Sequence, residues 1–256
     1  MANYSVTAII VFIVITLLYF IASVLIPNKG SSKVLTAIYY LLIFGSQIGI
    51  ILIATKQKCG SYMLGTTLQY GIIPWIVIFG GLMGLLYAFP GWKAPFSNTF
   101  GYFVTYLMGV KTVFNKLLKS DFKSSDPKLN KIMQDVYQDK AMLINELTPN
   151  NFEKAINQLS PIMNSSVVSN NKINWGNDTL KTLKKLVLIK DEVSRFIWYV
   201  LIGTLITSMS NLGVMSQPCN LSVQQMETSV ARQQAAAAAA TEADNNKKPQ
   251  TYNIRD

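Results

Sequence analysis

The chain has 256 residues, of which 50% are hydrophobic and 14% charged, and its formal net charge is +10. So few charges exclude an ordinary soluble surface over the whole length. Histidine is absent and there are two cysteines, which excludes histidine-based acid–base or metal chemistry, a disulfide framework and a Cys-only zinc site. No cofactor or metal is expected.

Residues 7–26, TAIIVFIVITLLYFIASVLI, are 20 uncharged and mostly apolar positions, a helix of about 30 Å and so one hydrocarbon core. A cleaved signal peptide is the alternative, but it needs a basic leading region and a shorter apolar stretch, and residues 1–6 read MANYSV. A short basic link, PNKGSSK, leads to a second uncharged run at 34–54 that ends before Lys56 and Lys58. The third run, 70–90, carries Pro74 in its expected first turn, where a missing N–H costs little. Gly45 with Gly49, and Gly80 with Gly84, have the small-xxx-small spacing that lets helices approach closely, and are expected to pack helices within the chain. No Asp, Glu, Lys or Arg falls inside these runs, so an ion pathway lacks its ionisable groups. Gln47 and Asn211 are the polar candidates for bonding a neighbouring helix.

After Pro90, residues 94–110 are again uncharged but rich in Ser, Thr, Asn and aromatic side chains. The pattern favours an exit turn followed by a helix at headgroup depth, spanning 91–110, with a fifth crossing as the alternative. Residues 111–194 then read as a basic helical domain, since 14 of the 23 Lys and Arg residues lie between 90 and 194. One amphipathic helix is expected over 127–147, from Leu129, Ile132, Met133, Val136, Leu143, Ile144 and Leu147. A second is expected to start at Thr148 as N-cap with Pro149 in the first turn, and to stop at Pro161. Trp175, in the polar stretch that follows, is expected to lid the small core.

From Asp178 a single helix is expected to run to residue 215, with Leu180, Leu183, Leu186, Val187 and Val193 opposite Lys181, Lys184, Lys185 and Lys190. Those four lysines are the candidate lipid or partner contacts, the plain alternative being a solvated face. Its far half, 195–216, is the fourth span. The tail 217–256 has a cap at Ser222 and strong helix formers through the alanines at 235–240, but almost no apolar face. Even parity places Cys59 and Cys219 on one side at similar depth, so a disulfide between them is a hypothesis, with two free thiols as the alternative. Asp135 with Asp139, and Asp191 with Glu192, are the nearest carboxylate groupings; acids on helix surfaces among lysines are usually ion-pair partners. Asn164, Asn177 and Asn220 begin glycosylation-type triplets, which are common by chance.

The expected fold is thus all-α: an integral membrane protein with three spans in 1–90, an interfacial segment, a soluble helical domain inserted before the fourth span, and a polar tail. The positive-inside rule leans towards a cytosolic domain. FPGWKAPFSNTFGYF at 89–103 and LINELTPNNF at 143–152 resemble signatures of multi-span virion membrane proteins of large nucleocytoplasmic DNA viruses, the phycodnavirus group especially. That resemblance implies a structural protein of an internal membrane drawn from the endoplasmic reticulum, in contact with minor capsid proteins, and it implies no catalytic residue. Lipid and capsid or other virion proteins are the expected partners, and nucleic acid is not favoured. A channel, transporter or membrane-remodelling protein is the alternative, and an enzyme is not expected.

Overall fold

A computed structural model of the chain describes residues 3–26, 29–120, 137–169, 172–219 and 223–245. The helices are α1 (Asn3–Leu25), α2 (Lys29–Cys59), α3 (Leu64–Ala88), α4 (94–107), α5 (Val110–Leu117), α6 (Phe152–Leu159), α7 (Asp178–Ser216) and α8 (Val223–Asn245). Short 3-10 turns at Pro90–Lys93 and Lys140–Glu146 join them, with a hairpin of β1 (Val168–Ser169) and β2 (Lys172–Ile173). Helices α1, α2, α3 and α7 are long and apolar enough to cross a bilayer, which is compatible with a multi-pass membrane protein.

These four form one antiparallel bundle whose register is set by aromatic side chains. Along α1 and α7, Phe12 lies against Gly203, Tyr19 is 6.4 Å from Tyr199, Phe20 is 5.4 Å from Phe196, and Ser23 donates to Glu192 at 3.1 Å. Helix α3 follows the same direction as α1, with Tyr70 at Gly213 and Phe79 5.3 Å from Tyr199. Helix α2 pairs with α1 through Tyr39 and Thr16 at 3.1 Å and through Gln47, which donates to the Ala8 carbonyl at 3.0 Å. The first residues of α1 and α3 therefore share one end with the last residues of α2 and α7. The bundle centre is filled by Phe12, Tyr39, Trp75, Phe79 and Tyr199, and such rings bury large areas in offset or edge-on contacts. Leu18, Leu41, Val77 and Leu212 point outward, each more than 60% exposed. An apolar exterior over a packed aromatic interior is a surface suited to lipid contact.

Several sequence expectations are corrected by this packing. The pairs Gly45/Gly49 and Gly80/Gly84 do not pack helices within the chain among the described residues, since a Cβ at any of them would meet nothing within 4 Å. Close approach occurs instead where an aromatic ring needs room, at Gly203 beneath Phe12 and Gly213 beneath Tyr70. Pro74 sits inside α3, which begins six residues earlier than expected, and wide π turns at Leu68–Ile72 and Trp75–Phe79 flank it. Such turns accommodate the missing N–H and the clash of the proline ring with the preceding turn. Asn211 donates to the Thr207 carbonyl within its own helix, at 2.8 Å, and bonds no neighbouring helix among the described residues.

The second core gathers Val110, Phe114 and Leu117 of α5, Ile144, Phe152 and Ile156, and Leu180, Leu183, Leu186 and Val187 from the polar half of α7. Of the helix expected over 127–147, Leu129, Ile132, Met133 and Val136 lie outside the described residues, and 140–146 form a 3-10 helix capped by Asp139. Helix α6 starts at Phe152, because Thr148 and Asn151 exchange side-chain and backbone hydrogen bonds at 2.7 and 3.2 Å and turn the chain first. Trp175 does not cover the core; it is 43% exposed. The hairpin is the small departure from an all-α fold, with Val168 opposite Ile173 and Ser169 opposite Lys172. Helix α7 runs unbroken from this core into the bundle.

Candidate functional site

The site with the most built-in structure lies where the two bodies join, around the middle of α7. Helix α3 ends at Ala88, and the turn Pro90–Lys93 folds back onto α7. There Lys93 Nζ pairs with Asp191 Oδ2 at 2.6 Å, Ser194 Oγ donates to the Lys93 carbonyl at 2.8 Å, and Trp198 Nε1 donates to the Trp92 carbonyl at 3.1 Å. Helix α4 then climbs antiparallel to the polar half of α7: Phe96 meets Trp198 at 5.1 Å, Gly101 lies against Lys190, and Val110 enters the second core. The segment expected at headgroup depth thus leads away from the bundle along α7. Gly101 is required for this path, because a Cβ there would sit 2.6 Å from the Lys190 carbonyl oxygen. Gly109, at φ 86, makes the left-handed turn from α4 into α5.

Lys190 is the charged residue at the centre of the joint, and it is 1% exposed. Its Nζ donates to the Ile144 carbonyl at 2.7 Å and to Asn98 Oδ1 at 3.2 Å. Asn98 belongs to the segment 89–103 and Ile144 to 143–152, so one ammonium ties together the two stretches that stood out in the sequence. Lys190 lies before the apolar run that begins at Phe196. Burial lowers its pKa to about 8, opposed by the charges of Asp191 and Glu146. Beside it is a cavity of about 170 Å³ lined by Asn98, Asn145, Thr148 and Asp191 among others. Asn145 Oδ1 there is buried and has no hydrogen-bond partner among the described residues.

The candidate lysines therefore separate. Lys190 is no surface contact, which corrects the sequence reading. At about 100° per residue, the nine positions from Lys181 place it half a turn round, on the core face with Leu183, Leu186 and Val187. Lys181, Lys184 and Lys185 do come together, in a cleft of about 480 Å³ between α7 and the end of α1 that also takes in Leu25, Leu188, Glu192 and Arg195. Arg195 was visible in the sequence only as the entry to the span; its spacing from Lys181, Lys184, Lys185 and Leu188 puts it on the same helix face. It pairs with Glu192, while its Nε is buried without a partner among the described residues.

At the opposite end of the bundle, Cys59 and Cys219 are joined as a disulfide with Cα atoms 5.3 Å apart. Next to it, Lys58 Nζ donates to the carbonyls of Val214, Met215 and Gln217 at 3.2, 2.6 and 2.6 Å. These are carbonyls at the end of α7, whose orphan acceptors and negative dipole end a lysine satisfies well. No sequence signal within α2 announces that capping, which depends on a chain segment more than 150 residues later.

The carboxylates serve structure. Asp139 caps a 3-10 turn, Asp191 pairs with Lys93, and Glu192 pairs with Arg195 and accepts from Ser23; Asp135 lies outside the described residues. Asn164 and Asn177 each bond backbone carbonyls, and Asn220 and Ser222 lie outside the described residues. Among the described residues no three His, Cys, Asp or Glu side chains converge on a metal position. No protein-family model, curated relative or solved structure matches the chain.

Proposed function

We propose that the chain is a structural membrane protein that holds a small helical domain firmly against one face of a bilayer and so couples the bilayer to a protein layer beside it. The observation that carries this reading is the unbroken helix α7, which belongs to both cores and is braced at their junction by Lys93, Lys190, Ser194 and Trp198. A hinged domain would dissipate force applied to it, whereas a shared helix cross-bonded at the junction transmits it. The resemblance of residues 89–103 and 143–152 to virion membrane proteins makes an internal virion membrane and its capsid the bilayer and layer proposed. The alternative of a channel is less well served, because the bundle centre is occupied by aromatic rings rather than by a polar path.

The test is cross-linking in assembled particles from a photoreactive amino acid placed at Lys111 or Lys154, both on the domain. Adducts with a shell protein are expected. If neither position, nor others spread over the exposed domain surface, yields any adduct beyond lipid, the coupling role is wrong.

A further inference from the structure

We infer that the cleft between the end of α1 and the middle of α7 is a binding site for the phosphate of an anionic phospholipid. The cleft unites Lys181, Lys184, Lys185 and Arg195 around one carboxylate, Glu192. That carboxylate already pairs with Arg195 and accepts from Ser23. Lys181 reaches Asp178 at 3.1 Å and Lys184 approaches Glu153 only at 4.0 Å, both pairs largely exposed, and such pairs hold their partners weakly. Lys185 makes no ion pair among the described residues. The cleft therefore keeps positive charge to offer, and Arg195 keeps a buried Nε with no partner among the described residues.

Its position selects lipid over a soluble phosphate. Arg195 directly precedes the apolar part of α7 and Leu25 ends α1, so the edge of the cleft nearest the bundle stands at the depth of a headgroup, with Lys185, Lys184 and Lys181 following outward along α7. Leu25 lines the cleft, and below it Ile21, Leu18 and Val14 continue one exposed stripe of α1 at helical spacing, each at least 44% exposed. A phosphate bound by the rim would lay an acyl chain along that stripe, and the 480 Å³ volume admits a headgroup with its glycerol. This inference rests on the membrane-spanning reading alone and needs no shell partner, so its failure would leave the coupling proposal standing.

Native mass spectrometry of the full chain in detergent tests it, with phosphatidylglycerol and phosphatidylcholine of matched chains supplied together. Preferential retention of phosphatidylglycerol is expected, weakened about tenfold or more in the Lys184→Gln/Lys185→Gln variant. A charge-matched control, Lys111→Gln/Lys116→Gln, should behave as the parent. Equal retention of the two lipids, or equal loss in the control, would overturn the site. Inorganic phosphate at millimolar concentration is the second arm: failure to displace the lipid supports a site that reads headgroup and chain together, and displacement would overturn the lipid assignment in favour of free phosphate.

Discussion

Lys190 Nζ lies 2.7 Å from the carbonyl oxygen of Ile144, so a cation on the core face of α7 fixes the position of the 3-10 turn that faces it. Burying an ammonium is unfavourable unless its protons find acceptors, and here Ile144 and Asn98 each supply one. The consequence is a joint with one permitted arrangement, because sliding either segment would leave the charge unpaired.

Titration of Lys190 should be visible in stability. Its folded pKa, about 8, is lower than the ordinary lysine value of 10.5, so between these two the unfolded chain binds more protons and stability rises with pH. Below about pH 8 the lysine is charged in both states and the burial penalty is present in full. Measured against Lys190→Met, which lacks the titration, the parent should gain on the order of 2 kcal/mol between pH 7.5 and 9.5. Thermal melts of both proteins in detergent at the two pH values check this; parallel melting shifts would mean that the buried group does not carry the effect.

Glycine substitutions should separate packed from open positions. A Cβ at Gly203 would lie 2.0 Å from Phe12 Cζ, in the middle of the bundle. Gly203→Ala should therefore lower stability by about 1–3 kcal/mol through overpacking. Gly80→Ala meets no neighbour within 4 Å, and should be neutral or stabilise slightly through the higher helix propensity of alanine. Detergent melting curves that rank the two variants the other way round would refute this bundle register.

The disulfide ties the end of α2 to the chain just beyond α7, across a sequence separation of 160. Intact protein alkylated without prior reduction should take up no label, and Cys219→Ser should lose about 2–4 kcal/mol of stability. Lys58 would still bond the carbonyls at the end of α7, so the variant should remain folded in detergent. Labelling of both thiols in unreduced material would exclude the bridge.

The parts of this molecule that could be read from the sequence are those governed by local rules. Helices α1, α2 and α7 follow from uncharged runs matched to a hydrocarbon core, and the continuity of α7 follows from the absence of Gly or Pro between Asp178 and Gly203. The separation of Lys190 from Lys181, Lys184 and Lys185 follows from the helical angle as well, but grouping the four lysines by charge placed Lys190 on the wrong face. Contacts that depend on register between distant segments were not. Nothing in α3 or α7 says that Tyr70 will need Gly213, or that Gly101 will lie on the backbone of Lys190. The 140–146 turn escaped because Leu143, Ile144 and Leu147 satisfy a helical period while Asp139 and the Thr148–Asn151 exchange end the element at both sides.

Topology gives the final prediction. In the bundle the start of α1 and the end of α7 share one end, and the second core lies beyond the other. If the four apolar helices cross a bilayer and α4 does not, an N-terminal epitope tag and Arg232 of α8 lie on one side and Lys154 of α6 on the other. Sealed vesicles treated with trypsin should then lose the tag and be cut at Arg232 together while Lys154 survives, or the reverse, until detergent opens them. A fifth crossing by residues 94–107 would instead expose Lys154 with the tag and protect Arg232. The contacts of α4 with Lys190 and Trp198, on the half of α7 that leads out of the bundle, favour the first result.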